Sequence, residues 1–167
     1  MLQRILNGLI ALTLSGILIG AFGIQIFKHE EPCPLCYLQR IGMLGVAVGA
    51  LLNVRFGIKA SHYSIMLLSA LGGGFIALRQ ISLHICPGFP LFGVPFWGFS
   101  LYTWSFFVFA ATVLAVALLL LLYDPKKEGE APDYDFLSKA LLWTLLLVAI
   151  GNVFSVLMQC GFGPCSD

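Results

Sequence analysis

The sequence predicts an all-α, polytopic membrane helical bundle, and three observations carry that expectation. The 167 residues are 59% hydrophobic and only 10% charged, with a mean hydropathy of +0.96, more apolar surface than a water-soluble domain of this size could cover with polar groups. The apolar residues gather into five runs, each near the ~17–25 residues that cross a bilayer as a helix. In lipid every backbone N–H and C=O must be bonded within its own segment, so runs of this kind are helices. The net charge of +1, with Lys and Arg scattered in short stretches between the runs, excludes a basic nucleic-acid surface.

The first run, residues 5–27, follows Arg4. It exceeds the ~7–15 apolar residues of a signal peptide and lacks a clear small-x-small cleavage site, so it reads as a retained anchor. Residues 37–54 form the second run, entered through Cys33-Pro34-Leu35-Cys36. Gly16 and Gly20 in the first run and Gly45 and Gly49 in the second have the spacing that lets helices approach closely, here expected within the bundle rather than between copies. The third run, 63–85, contains Gly72-Gly73-Gly74, the mark of a bend or a close crossing, and ends in the polar set Arg79, Gln80 and His84. Residues 86–100 carry no charge but hold Phe89, Phe92, Phe96, Trp97 and Phe99 among three prolines, a composition suited to the membrane interface. The fourth run is 101–123. A polar stretch over 124–138, with Lys126, Lys127, Glu128, Glu130, Asp133 and Asp135, reads as a solvated connector to the fifth run, 140–157, after which come Cys160 and Cys165.

Arg4, Arg55, Lys59, Lys126, Lys127 and Lys139 fall on one side of five spans, whereas Lys28 and Arg40 flank spans on the other and Arg79 lies within the outer part of the third. The first side is therefore expected to be cytoplasmic. The CxxC, the 86–100 loop and the C-terminal tail then lie outside, which puts all five cysteines on the side where disulfides persist, a bacterial periplasm or similar space.

A CxxC pair can pass between dithiol and disulfide without a metal. Cys36 sits where the second span begins, and the unpaired N–H groups of that helix end favour its thiolate. Arg40 follows by four residues, about 6 Å along the same helix face, and can stabilise a thiolate or an acceptor's oxygen. An inert disulfide and half of a zinc site are the other readings of CxxC, and an interfacial anchor is the other reading of Arg40. Gln80 and His84 are one turn apart on the dithiol side, where intramembrane polar groups mark a site; a hydrogen-bonded interfacial residue is the alternative for His84. Gly161, Gly163 and Pro164 allow a tight reversal that could join Cys160 to Cys165, and Cys86 could pair with either.

Cys33-Pro-Leu-Cys36-Tyr-Leu-Gln-Arg40 at the start of a second span, with Leu83-His84 at the end of the third, resembles the DsbB family of disulfide bond formation proteins. By organisation the likeness covers roughly the first 125 residues. It implies a four-helix enzyme of the bacterial inner membrane that reoxidises a soluble, periplasmic, thioredoxin-like DsbA-type partner and passes electrons to ubiquinone or menaquinone. By position, Cys33 and Cys36 become the quinone-reducing pair, with Cys36 next to the quinone and Arg40 and His84 at its site. The chain departs from the pattern in its cysteines: the loop between spans three and four has only Cys86, and an added fifth span carries Cys160 and Cys165 outward. Those two are expected to form the partner-facing disulfide, with Cys86 auxiliary. The chain thus divides into a DsbB-like membrane domain over 1–125, a cytoplasmic connector over 126–139, and a fifth helix with a periplasmic tail over 140–167. A vitamin K epoxide reductase-like enzyme is a rival, although its CxxC is expected late among the spans. A metal-handling or assembly protein using Cys33, Cys36, His84 and Cys86 is another.

Overall fold

The computed structural model of the chain describes residues 2–28, 33–85, 95–125, 136–161 and 163. Five helices, α1 (Leu2–Lys28), α2 (Pro34–Phe56), α3 (Ala60–Ile85), α4 (Leu101–Leu121) and α5 (Phe136–Cys160), are each long and apolar enough to cross a membrane. Apart from α4, which stops at Leu121 inside its run, they extend past the ends of the apolar stretches, because helix formation needs only backbone bonding, whereas hydropathy counts side chains. α1 therefore includes Gln3 and Arg4, and α5 begins at Phe136, so the end of the 126–139 connector is helical. Residues 126–135 lie outside the described residues.

Contacts between helix ends give an alternating up-and-down order. At one end Arg4 Nε donates to Val54 O (3.1 Å) and Gln3 Nε2 to Leu119 O (3.1 Å), satisfying carbonyls that the last turns of α2 and α4 leave unpaired. Asn7 Nδ2 donates to the Tyr63 hydroxyl (3.0 Å) and Asn53 Nδ2 to Asn7 Oδ1 (3.1 Å), a fully buried network tying α1, α2 and α3. At the other end lie the CxxC, the last turns of α1, α3 and α5, and the first turn of α4.

Helix α2 is central, with 56% of its spanning window buried against 22–28% for the other four. Glycine sets how closely its neighbours approach. A Cβ on Gly49 would stand 2.9 Å from His62 O, one on Gly45 would strike Ser69, and one on Gly42 would lie 3.0 Å from Gly73 Cα. The Gly72–Gly74 stretch is therefore a close crossing: the Phe109 ring of α4 occupies the space that a Gly73 side chain would need. Gly45 and Gly49 pack inside the bundle as expected. Gly16 and Gly20 do not, since a Cβ on either meets nothing within 4 Å.

Ahead of α4, Phe96 and Phe99 exchange backbone hydrogen bonds (2.8 and 3.2 Å) around Trp97 (φ 49°) and Gly98 (φ 80°). Two successive positive φ values define the tight reversal of a primed hairpin turn, in which glycine at the second position costs nothing. The turn gathers Phe96, Phe99, Trp104 and Phe107 edge to face, and Trp104 Nε1 donates to Phe96 O at 2.9 Å.

Candidate active site

The start of α2 builds the dithiol. Pro34 takes the first helical position, where its missing N–H is no loss, and Cys33 is the N-cap, its sulfur accepting from Cys36 N at 3.3 Å. One turn of helix brings the two half-buried sulfurs to 2.8 Å, both as free cysteines. The Cys33 thiol, just ahead of the spanning helix, is pushed above its ordinary range, first by the hydrogen bond it shares with the Cys36 sulfur and then by burial. The shared hydrogen bond and burial thus favour the protonated form of Cys33.

A donor arrives from α3. Gln80 is completely buried, and its Nε2 donates to Cys33 Sγ (3.2 Å) and Cys36 Sγ (3.6 Å). Its orientation is set from the other side, because Gln39 Nε2 donates to Gln80 Oε1 at 2.6 Å. With the oxygen engaged, the amide hydrogens point at the sulfurs, where a donor stabilises negative charge.

Arg40, only 9% exposed, is held by neutral groups. Nη1 donates to Gln25 Oε1 (2.8 Å) and Nη2 to Ala21 O (3.3 Å), while the guanidinium lies 4.7 Å from the Phe22 ring centre and 5.7 Å from that of Tyr37. A guanidinium carries five N–H donors, so these contacts leave donors for a ligand.

Cys36, Gln39 and Arg40 form the polar end of a cavity of about 470 Å³ between α1 and α4, walled by Leu18, Met43, Tyr102, Trp104 and Val108. Apolar walls with a few convergent polar groups are the usual character of a small-molecule site. His84 is one layer behind: its Nδ1 bonds the Gln80 carbonyl oxygen (2.8 Å), and its ring stacks on Tyr102 at 5.1 Å, so Tyr102 stands between it and the cavity. The structure thus brings Cys33, Cys36 and Arg40 together and sets His84 beside them. Cys86, Cys165 and the side chain of Cys160 lie outside the described residues.

The sequence alone assigns no role to Gln25, Gln39 or Gln159, and marks Gln80 with His84 as polar groups on the dithiol side without assigning Gln80 a partner. The available signal was that four apolar helices each carry a glutamine at the same end, where an amide in lipid demands a partner.

A vicinal dithiol on the first turn of a membrane-spanning helix, opening onto an apolar cavity beside a buried guanidinium, places the chain among helical membrane proteins with a thiol–disulfide centre. Residues 3–90, more than half of the chain, match the family model Disulfide bond formation protein DsbB, and the chain belongs to that family. Proteins named Disulfide bond formation protein B are similar to it. The one from Marinobacter nauticus is 36% identical over 91 residues, covering 52% of this chain and 54% of the relative; that from Chromobacterium violaceum is 42% identical over 77 residues, 41% and 46% of the two. The chain thus spans about half the length of these curated relatives. The protein of that name from Aromatoleum aromaticum is 29% identical over 157 residues, covering 88% of this chain and 89% of the relative. No solved structure matches.

Proposed function

We propose that the protein is a quinone-dependent thiol oxidase of the bacterial inner membrane that reoxidises a periplasmic, DsbA-like thioredoxin-fold partner and passes the electrons through Cys33 and Cys36 to ubiquinone or menaquinone. The observation that carries this reading is that Cys36 and Arg40 share one apolar cavity inside the span. Its volume and walls fit a planar, apolar ring, and its polar end offers a cation and an amide to a carbonyl oxygen. A bound quinone supplies a two-electron, two-proton acceptor.

The residues divide the work. A partner dithiol reduces the outer Cys160–Cys165 disulfide by exchange and leaves as its own disulfide, and a second exchange passes the two electrons on to the Cys33–Cys36 disulfide. Cys36, on the cavity wall, is the sulfur through which the pair gives those electrons up. Gln80 and the N-terminus of α2 hold negative charge on that sulfur until then. Arg40 binds and orients the acceptor oxygen, the aromatic and aliphatic walls exclude water, and Cys33, 2.8 Å away, gives up its proton as the disulfide closes. An amide donor and a guanidinium next to the sulfurs oppose binding of a cation there, which supports redox chemistry over a metal-handling role.

With Arg4, Arg55, Lys59 and Lys139 at the opposite end, the positive-inside bias puts the dithiol end in the periplasm. Cys160 and Cys165 would then receive electrons from the partner. The support for this is the hydrogen bond from the Tyr37 hydroxyl to Gln159 Oε1 (2.8 Å), which ties the last turn of α5 to the first turns of α2. Anaerobic mixing of purified protein with reduced partner candidates and quinone tests the reading: quinone reduction that stops on Cys36→Ser is expected, and a protein that exchanges disulfides but leaves quinone oxidised would refute it.

A further inference from the structure

Helix α5 lies beyond the stretch that the family model matches, and none of its described residues lines the cavity. It nevertheless touches three members of the cradle around Arg40. Ser155 Oγ accepts from Gln25 Nε2 at 3.3 Å, and Gln159 Oε1 accepts from the Tyr37 hydroxyl at 2.8 Å. Gly151 faces Phe22, whose ring would lie 3.4 Å from a Cβ placed there. These three positions fall at i, i+4 and i+8, one face of one helix. Their partners Phe22, Gln25 and Tyr37 are the groups that hold the guanidinium by ring faces and an amide oxygen.

The arrangement matters because Arg40 is a nearly buried cation that no carboxylate among the described residues fixes. The only acidic side chain among the described residues is Asp124, past the far end of α4. An amide can present either its oxygen or its NH2, and only the oxygen can accept from a guanidinium. The donor-only guanidinium takes the Gln25 oxygen, and Ser155, by accepting from the NH2 that is left, holds the amide in the place where it binds Arg40. Gln159 likewise limits how far the Tyr37 ring can swing away.

We infer that α5 is a positioning helix for the candidate site, with Ser155 and Gln159 as positioning residues that aim the Arg40 guanidinium into the cavity. The inference rests on the quinone reading of that cavity. It gives the added span a catalytic purpose independent of the cysteines that follow it.

The test uses full-length protein in nanodiscs. Quinone affinity is read from quenching of tryptophan fluorescence by decylubiquinone or menadione, whichever the wild type binds, and turnover is followed in parallel. Ser155→Ala and Gln159→Leu are each expected to weaken binding and raise the quinone KM about three- to tenfold, the range for one neutral hydrogen bond, with kcat changed less than about twofold. Ser155→Thr, which keeps the hydroxyl, should bind as wild type, as should Leu147→Ala on the exposed side of α5. In an Arg40→Met background, where there is no guanidinium to aim, Ser155→Ala should add less than about twofold. Wild-type affinity in both α5 variants, or an undiminished loss in the Arg40→Met background, would overturn the positioning role while leaving the quinone reading intact. A wild-type protein that neither binds nor reduces either quinone would refute that reading and the inference with it.

Discussion

Replacing Gln80 by Leu should make the Cys33–Cys36 disulfide harder to reduce, by an amount that the structure allows to be worked out. In the reduced state Gln80 Nε2 donates to both sulfurs, at 3.2 and 3.6 Å, and a hydrogen bond to a charged group contributes about 1.5–3 kcal/mol. In the disulfide neither sulfur carries charge, so most of that contribution is lost on oxidation. Gln80→Leu therefore destabilises the dithiol selectively. For a two-electron couple about 30 mV corresponds to 1.4 kcal/mol, so the potential should fall by about 30–65 mV. The variant also leaves the Gln39 amide without its partner at 2.6 Å. That penalty is present in both redox states and cancels from the potential, although it lowers stability by about 1–3 kcal/mol. The assay is a redox titration against dithiol buffers with alkylation readout, in protein whose other three cysteines are serine. Gln39→Leu, which frees the Gln80 amide to turn, should shift the potential in the same direction by less. A folded Gln80→Leu protein whose potential rises, or stays within about 10 mV of the parent, would refute the claim that this amide stabilises the reduced pair.

Arg40→Ala should raise the quinone KM about tenfold to over a hundredfold, as loss of a charge-assisted hydrogen bond of 1.5–3 kcal/mol requires, while the rate of exchange with the partner stays near wild type in stopped-flow measurements. Gly73→Ala should lower stability by about 1–3 kcal/mol through overpacking against Phe109, whereas Gly72→Ala, with nothing within 4 Å of the new methyl, should leave the unfolding midpoint in detergent unchanged. A membrane-impermeant maleimide applied to reduced, intact spheroplasts should label single cysteines at positions 33 and 165 but not one introduced at Lys127; labelling at 127 would reverse the proposed orientation.

Much of the architecture is legible in the sequence. Five apolar runs of spanning length admit only helices in lipid, and the ends of those helices moved by a few residues because polar residues such as Gln3, Arg4 and Ser138 continue the backbone ladder. The CxxC and its arginine were equally plain, since Cys33, Cys36 and Arg40 sit on consecutive turns of one helix, where spacing in sequence is spacing in space. Gly45 and Gly49 announced close packing, but the same spacing at Gly16 and Gly20 faces open space. A glycine pattern records what a helix could accept, not which neighbour arrives.

The sequence by itself thus determined the helices, their membrane character and the dithiol at one end, because these follow from local composition and from contacts within a single helical turn. Only the tertiary structure decided what surrounds that dithiol. Gln80 reaches the sulfurs from 44 residues away, and Ser155 reaches Gln25 across 130. His84 came to rest behind Tyr102 rather than on the cavity wall. Each of these depends on how α1, α3, α4 and α5 rotate about α2. In lipid that rotation is set by close packing at Gly42, Gly49 and Gly73 and by pairing of buried amides, since a uniformly apolar solvent gives no helix face a preference of its own.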